Sequence, residues 1–254
     1  MKSTLFYGIF SIFLFYTAAK PSINGRIVGG ENTTIEEYPY QVSLEVYGKH
    51  DCGGSILSSN VILTAAHCTA DIKNLASLTV RAGSTIREQG GSVREVEAIL
   101  NHELWNQMTI DYDVSLVLLK NPLPLSKGIQ PIQLPNANEY LKQQEKAVVT
   151  GWGKTSNTGS TLPLILQKAD IETVEQEICS KAYSGGITPR MLCAGLYGVG
   201  GKDTCQSDSG GPLVSHNKLH GITSWGGECG GKWTPGVYTR VTEIRDWIRE
   251  KVNL

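Results

Sequence analysis

Residues 203–212 read DTCQSDSGGP. This stretch places Ser209 between Asp208 and a pair of glycines, in a segment anchored by Cys205. A serine hydroxyl is a weak nucleophile at neutral pH. It needs a base to accept its proton, and the base needs an acid to fix its tautomer and stabilise its charged form. The stretch therefore directs the search outward, to a histidine and a carboxylate. His67 lies in LTAAHC (63–68), where an apolar strand ends beside a cysteine. Asp113 opens DVSLVLL (113–119), an acid at the head of an apolar strand. Asp111 is the competing acid, but the apolar run follows Asp113 directly. Singly, each residue has an ordinary reading: a structural histidine, a turn aspartate, a loop serine. Together, in the chain order His, Asp, Ser, they match one of the known orders of a nucleophilic serine triad.

The setting supports a hydrolase that works outside the cell. The chain opens with MKSTLFYGIFSIFLFYTAA, in which Lys2 precedes an apolar run from Leu5 to Tyr16 and small residues close the segment. This is the pattern of a secretory signal peptide over 1–19, and its apolar run falls short of the ~20 residues that span a bilayer. Six cysteines follow it: Cys52, Cys68, Cys179, Cys193, Cys205 and Cys229. An even count in a secreted chain reads as three disulfides, and spacing alone leaves all fifteen pairings open. No CxxC or HxxxH spacing calls for zinc. The formal charge is −1, and Lys2, Lys20 and Arg26 lie in a leader without acids, so its loss leaves −4. A mildly acidic chain without a basic run is not built for nucleic acid or an anionic membrane.

The periodicity is that of an all-β protein of 254 residues. QVSLEV (41–46), SILSSNVILTAA (55–66), SLTVRA (77–82), VSLVLL (114–119), KAVVTGW (146–152) and GVYTRV (236–241) are rich in β-branched and aromatic residues. Glycine, asparagine and proline separate them, as in GGENTT, REQGGS and KTSNTGS. Only the C-terminal VTEIRDWIREKVNL repeats its apolar residues at helical spacing. KNPLPLSKGIQPIQLP (120–135) carries four prolines and reads as an extended connector between two halves. The expected architecture is two antiparallel β-barrels and a C-terminal helix.

With these motifs in place, the chain resembles the chymotrypsin-type serine proteases, and among them the trypsins. IVGG (27–30), LTAAHC, DVSLVLL, GWG (151–153), CQSDSGGP (205–212), SWG (224–226) and PGVYTRV (235–241) occur in family order and spacing from Ile27 onward. The resemblance implies two six-stranded barrels, about 27–125 and 126–254, forming a peptidase domain over 27–254 with the active site between them. It implies His67 as general base, Asp113 as its orienting acid and Ser209 as nucleophile, with Ser224 adding a hydrogen bond to Asp113. It implies an oxyanion hole from the N–H groups of Ser207 and Ser209. It selects the pairings Cys52–Cys68, Cys179–Cys193 and Cys205–Cys229.

The same resemblance implies a specificity pocket with Asp203 at its floor, Thr204 beside it, and Ser224, Gly226 and Gly236 on its walls. Such a slot takes arginine or lysine. Arg26–Ile27 reads as an activation site that ends a propeptide over 20–26; its cleavage would free an Ile27 amine to pair with Asp208. Expected partners are proteins or peptides with Arg/Lys at the cleavage site and protein protease inhibitors, with a monomeric chain and no cofactor. The stretch RAGSTIREQGGSVREV (81–96), where trypsins often bind calcium, is poor in carboxylates, so no metal is expected. Asn32-Thr33-Thr34 is a glycosylation sequon in a loop-like stretch. One residue departs from the family: Ser207 stands where it has glycine. That substitution opens an alternative, a protease fold kept as a binding or inhibitory protein with weak or no catalysis.

Overall fold

The structure is a computed structural model, and it describes residues 27–157 and 161–253. The expected signal peptide, the propeptide and Arg26 lie outside the described residues. The strands are β1 (Glu31–Asn32), β2 (Gln41–Val46), β3 (Lys49–Ser58), β4 (Val61–Thr64), β5 (Leu78–Ala82), β6 (Ser92–Asn101), β7 (Ser115–Leu119), β8 (Lys146–Gly151), β9 (Gln167–Val174), β10 (Met191–Gly195), β11 (Pro212–Ser215), β12 (Lys218–Trp225) and β13 (Gly236–Arg240). The helices are α1 (Gln176–Ala182) and α2 (Val241–Val252).

Strands β2-β3-β4-β7-β6-β5 close into one antiparallel barrel. Strands β9-β10-β13-β12-β11-β8 form a second, closed by the pairing of β8 with β9, and β1 adds to the outside of β9. Closure pairs the outermost strands of each barrel, so neither presents a free sheet edge. Val42, Leu44, Ile56, Leu63, Val80 and Leu116 fill the first barrel. Val149, Ala169, Ile171, Leu192, Leu213 and Tyr238 fill the second. Each large aliphatic side chain so buried contributes ~1.5–3 kcal/mol relative to exposure. Between the barrels the connector runs as a strap: the Ile132 N–H donates to Ile56 O at 2.9 Å, and the Leu219 N–H to Gln133 O at 2.9 Å.

Two details differ from the periodicity. The run 55–66 is not one strand but the end of β3, a turn at Ser59-Asn60, and β4. The C-terminal helix is joined by α1, whose short QEICSKA is held by its buried Cys179 and not by a long apolar stripe. In α2, Val241, Ile244 and Ile248 form the buried face, and Asn253 takes a left-handed conformation that ends the helix. Among the described residues no helix is long and apolar enough to cross a membrane.

Candidate active site

The three residues expected to form a triad come from both barrels. β4 runs buried into Ala65-Ala66, whose small side chains let the chain turn tightly, and His67 sits in the 3₁₀ turn Ala66–Cys68. The Cys52–Cys68 disulfide ties that turn to β3. His67 Nδ1 lies 2.7 Å from Asp113 Oδ2, and the His67 backbone N–H donates to Asp113 Oδ1 at 2.9 Å. The Ser224 hydroxyl, from β12 of the other barrel, donates to Asp113 Oδ2 at 2.5 Å. Thr239 Oγ1 donates to the Asp113 carbonyl at 2.7 Å. Asp113 is 1% exposed, so these donors replace the water it has lost. Burial pulls the His67 pKa down, but the hydrogen bond and charge of Asp113, with Asp51 farther off, leave it above its ordinary value. With Nδ1–H on Asp113, Nε2 is left as the acceptor for a serine proton. Among the described residues the Ser209 hydroxyl makes no hydrogen bond to it; Nε2 lies 3.7 Å from Cys68 Sγ. Such contacts commonly tighten only with substrate in place. Asp111 is elsewhere: its carboxylate takes Thr188 Oγ1 at 2.9 Å and the Arg190 guanidinium.

The loop carrying Ser209 is stitched from several sides. The Cys205–Cys229 disulfide closes its base. The Ser209 carbonyl accepts the Gly53 N–H at 2.8 Å, and the Gly210 N–H donates to Thr223 O at 2.7 Å. At Gly210 φ is +78°, and a Cβ would sit 2.1 Å from Thr64 Oγ1, so only glycine fits there.

Ser207 has φ of +71°, the left-handed region that glycine occupies freely and serine does not. The peptide before it is nonetheless held: the Lys154 N–H donates to the Gln206 carbonyl at 2.8 Å. A trans peptide carries its N–H opposite its carbonyl, so the Ser207 N–H points away from Lys154. Neither the Ser207 nor the Ser209 N–H finds an acceptor among the described residues. The Ser207 carbonyl lies 3.0 Å from His50 Nε2, and His50 Nδ1 lies 2.7 Å from Ser43 Oγ. Burial pushes the His50 pKa down to about 4, so it stays a neutral donor to that carbonyl. Nothing in the sequence distinguished His50 or Lys154, because both act through contacts with residues more than fifty positions away.

Beside Ser209 opens a cavity of about 210 Å³, lined by Asp203, Thr204, Ser224, Gly226 and Gly236 among others. Asp203 accepts the Thr204 N–H at 2.8 Å and the Gly230 N–H at 3.2 Å. A Cβ on Gly236 would come within 2.5 Å of Asp203 Oδ1 and block that carboxylate. Thr204 Oγ1 lies 3.1 Å from the Tyr238 hydroxyl. Burial pushes the Asp203 pKa up to about 7, against the pull of the two N–H groups.

Asp208 is fully buried and accepts the Gly153 N–H at 2.7 Å and the Cys205 N–H at 3.0 Å. Cβ atoms on Gly151 and Gly153 would lie 2.1 and 2.4 Å from its carboxylate, which accounts for both glycines of GWG. Burial pushes its pKa up to about 7. Ile27 is buried in the core of the same barrel.

The remaining expectations fall elsewhere. All three disulfides, Cys52–Cys68, Cys179–Cys193 and Cys205–Cys229, are formed. In the stretch 81–96, Glu88 is engaged by Lys49, Arg87 and the His50 N–H, while Ser84 Oγ holds the loop by bonds to Ile86 O and Gln89 O. Cys52, His67 and Cys68 cluster closely, but the disulfide consumes both sulfurs as ligands. Asn32 is exposed, yet it stands on the edge strand β1 and not in a loop, and Gln167 Nε2 donates to its side chain at 2.9 Å.

A profile of the Trypsin family matches residues 27–248. The chain is 42% identical to Trypsin 5G1 of Aedes aegypti over 89% of its length and 85% of that protein. It is 44% identical to a trypsin of Simulium vittatum, over 88% and 92% of the two chains. It is 42% identical to Trypsin epsilon of Drosophila erecta, over 90% and 88%. Two closed barrels, three bridged cysteine pairs and a match running the length of the described domain lead to one conclusion: the chain belongs to the trypsin family of serine proteases.

Proposed function

We propose that the protein is a secreted endopeptidase that cleaves after arginine or lysine, made as a zymogen and activated by cleavage of Arg26–Ile27. The observation that carries the specificity is the buried Asp203 on the cavity that also holds Ser209. A buried carboxylate without a cation is costly, and a substrate guanidinium or ammonium supplies the missing charge. A neutral side chain in the same slot would leave that cost in place.

The chemistry follows from the side chains. Ser209 Oγ attacks the scissile carbonyl as His67 Nε2 takes its proton. The imidazolium is stabilised by Asp113, which the Ser224 hydroxyl and the His67 N–H keep in position. The N–H groups of Ser207 and Ser209 receive the negative charge on the substrate oxygen. His67 then gives the proton to the leaving amine, the acyl-enzyme forms, and water repeats the sequence. Activation rests on Asp208: a buried carboxylate held by two N–H groups has room in its energetics for one cation, and the new Ile27 ammonium provides it. The alternative, a non-catalytic binding protein, requires the Ser207 N–H to be turned away, and the bond from Lys154 to Gln206 argues against that.

The test is to cleave the precursor after Arg26 and compare amide substrates with Arg, Lys, Phe and Ala before the scissile bond. Turnover of the Arg and Lys amides alone is expected. Equal turnover of the Phe amide overturns the specificity, and no turnover of any amide overturns the catalysis.

A further inference from the structure

The segment between β6 and β7 carries Asp113, and it contains two residues that side-chain sterics disfavour there. Ile110 has φ of +53° and Tyr112 of +54°. A β-branched or aromatic residue in the left-handed region is strained and persists only where its surroundings impose it. Both flank Asp111, the acid that His67 does not use.

What imposes the conformation lies on the other barrel. Arg190, just before β10, donates through Nη2 to Asp111 Oδ2 and through Nε to Asp111 Oδ1 at 3.3 Å. Thr188 Oγ1 adds a bond to Asp111 Oδ1 at 2.9 Å. The same Asp111 oxygen accepts the Tyr112 N–H at 3.0 Å, which locks the turn. The Arg190 guanidinium lies 4.8 Å from the centre of the Tyr112 ring. Beyond it, Tyr112 stacks on His102 at 4.5 Å and His102 on Trp247 of α2 at 4.9 Å. The ion pair is three-quarters or more buried on both sides, so solvent screens it little.

We infer that Asp111 and Arg190 form a clasp between the barrels that positions Asp113 against His67, and so sets the strength of that hydrogen bond. The inference rests on the proposed catalytic reading. Its logic is local. Tyr112 is the residue immediately before Asp113, and its carbonyl accepts the Val114 N–H at 2.8 Å. Without Arg190, Asp111 loses its cation and Tyr112 its cover, and the pair of strained residues can relax to negative φ. That rotation moves the Asp113 backbone, and Asp113 has only 2.7 Å to His67 Nδ1 to lose. Arg190 and Asp111 touch neither substrate nor reacting atoms; they are positioning residues.

The experiment compares the processed parent with Arg190→Ala, Arg190→Lys and Asp111→Asn. Two readouts are taken: kcat and KM on an arginine amide, and the titration of the His67 ring protons by NMR. For Arg190→Ala we expect kcat to fall about tenfold with KM within twofold, and the His67 titration to move downward, toward the unperturbed imidazole. Arg190→Lys, which restores the charge without the paired donors, should recover part of both; Asp111→Asn should fall between. A variant with lower thermal stability but unchanged kcat and unchanged His67 titration would show that the clasp merely holds the barrels together. If the parent itself turns over no amide, the catalytic reading fails, while the NMR titration still decides whether the clasp positions Asp113.

Discussion

Asp203 and Asp208 are five residues apart on one loop, and the fold treats them almost identically. Both are buried, both accept two backbone N–H groups, and burial raises both to about 7. They differ in what they face. Asp203 borders an open cavity of about 210 Å³, whereas Asp208 is enclosed by Gly151, Gly153 and the core that holds Ile27. A carboxylate in either place is a deficit of one positive charge. The open one can be filled from outside, the enclosed one only by the chain itself. On this reading, substrate choice and activation are the same electrostatic device used twice.

The sharpest way to break the comparison is to remove the open acid. Asp203→Ser should cut kcat/KM on arginine and lysine amides by on the order of 10²–10³ or more, the cost of ~3–5 kcal/mol for an unpaired buried charge. Reaction of Ser209 with a small phosphonylating reagent should persist, since His67, Asp113 and Ser209 are unchanged. Arginine turnover near that of the parent would remove Asp203 from the pocket floor.

The enclosed acid gives the next effect. If the proposed activation holds, Asp208→Asn should leave the processed chain close to precursor activity, because an amide would not pair with an Ile27 ammonium. The uncleaved form offers a second check through stability. The folded pKa of Asp208 lies above its unfolded value of ~3.9, so its contribution is fully present below about pH 4 and is lost as pH rises through about 7. The precursor should therefore lose stability between pH 4 and 7 relative to its Asp208→Asn variant, and cleavage should abolish that loss. Parallel pH curves for the two precursors would contradict the reading.

Asp203 predicts a further and smaller pH effect. A cation can be paired only by the ionised acid, so affinity for a simple amidine should rise with pH up to about 7 and then level off. The slope below that point should approach tenfold per pH unit. kcat should rise over a separate limb as His67, held above its ordinary value, loses its proton. An amidine affinity that is flat from pH 5 to 8 would show that Asp203 is already ionised in the empty pocket.

How much of this could be seen in the chain alone depended on whether a residue acts near its own position in sequence. QVSLEV, VSLVLL and GVYTRV announce their strands because β-branched and aromatic content is a local signal, and LTAAHC and SDSGGP stand out by residue type. Strand β6 was illegible, since SVREVEAILN exposes Arg94, Glu95 and Glu97 or leaves them half-covered, diluting its apolar signal. α1 carries no such signal, because seven residues are too few to show a helical period. The second tier of the site was out of reach for a different reason. His50, Lys154, Thr239 and Arg190 are ordinary letters that gain a role only through partners in another part of the fold.

Ser207 marks the smallest effect and the finest test. With φ of +71°, it holds strain that glycine would not. Strain present in both the free enzyme and the transition state cancels from kcat and appears only in stability. It reaches catalysis only if the peptide flips and withdraws its N–H, and the Lys154 bond to the Gln206 carbonyl opposes the flip. Ser207→Gly should therefore raise thermal stability slightly, since relief of ~1–2 kcal/mol is partly offset by the ~0.5–1 kcal/mol entropic cost of glycine. kcat on an arginine amide should rise by no more than a few-fold. A rise of tenfold or more, about 1.4 kcal/mol in the barrier, would mean that the loop spends most of its time flipped. The matching control is Lys154→Pro, which deletes the N–H that holds Gln206. It should lower kcat by about tenfold or more in the Ser207 parent, and less in the Ser207→Gly background. Equal losses in both would show that Lys154 supports the loop without opposing the serine strain.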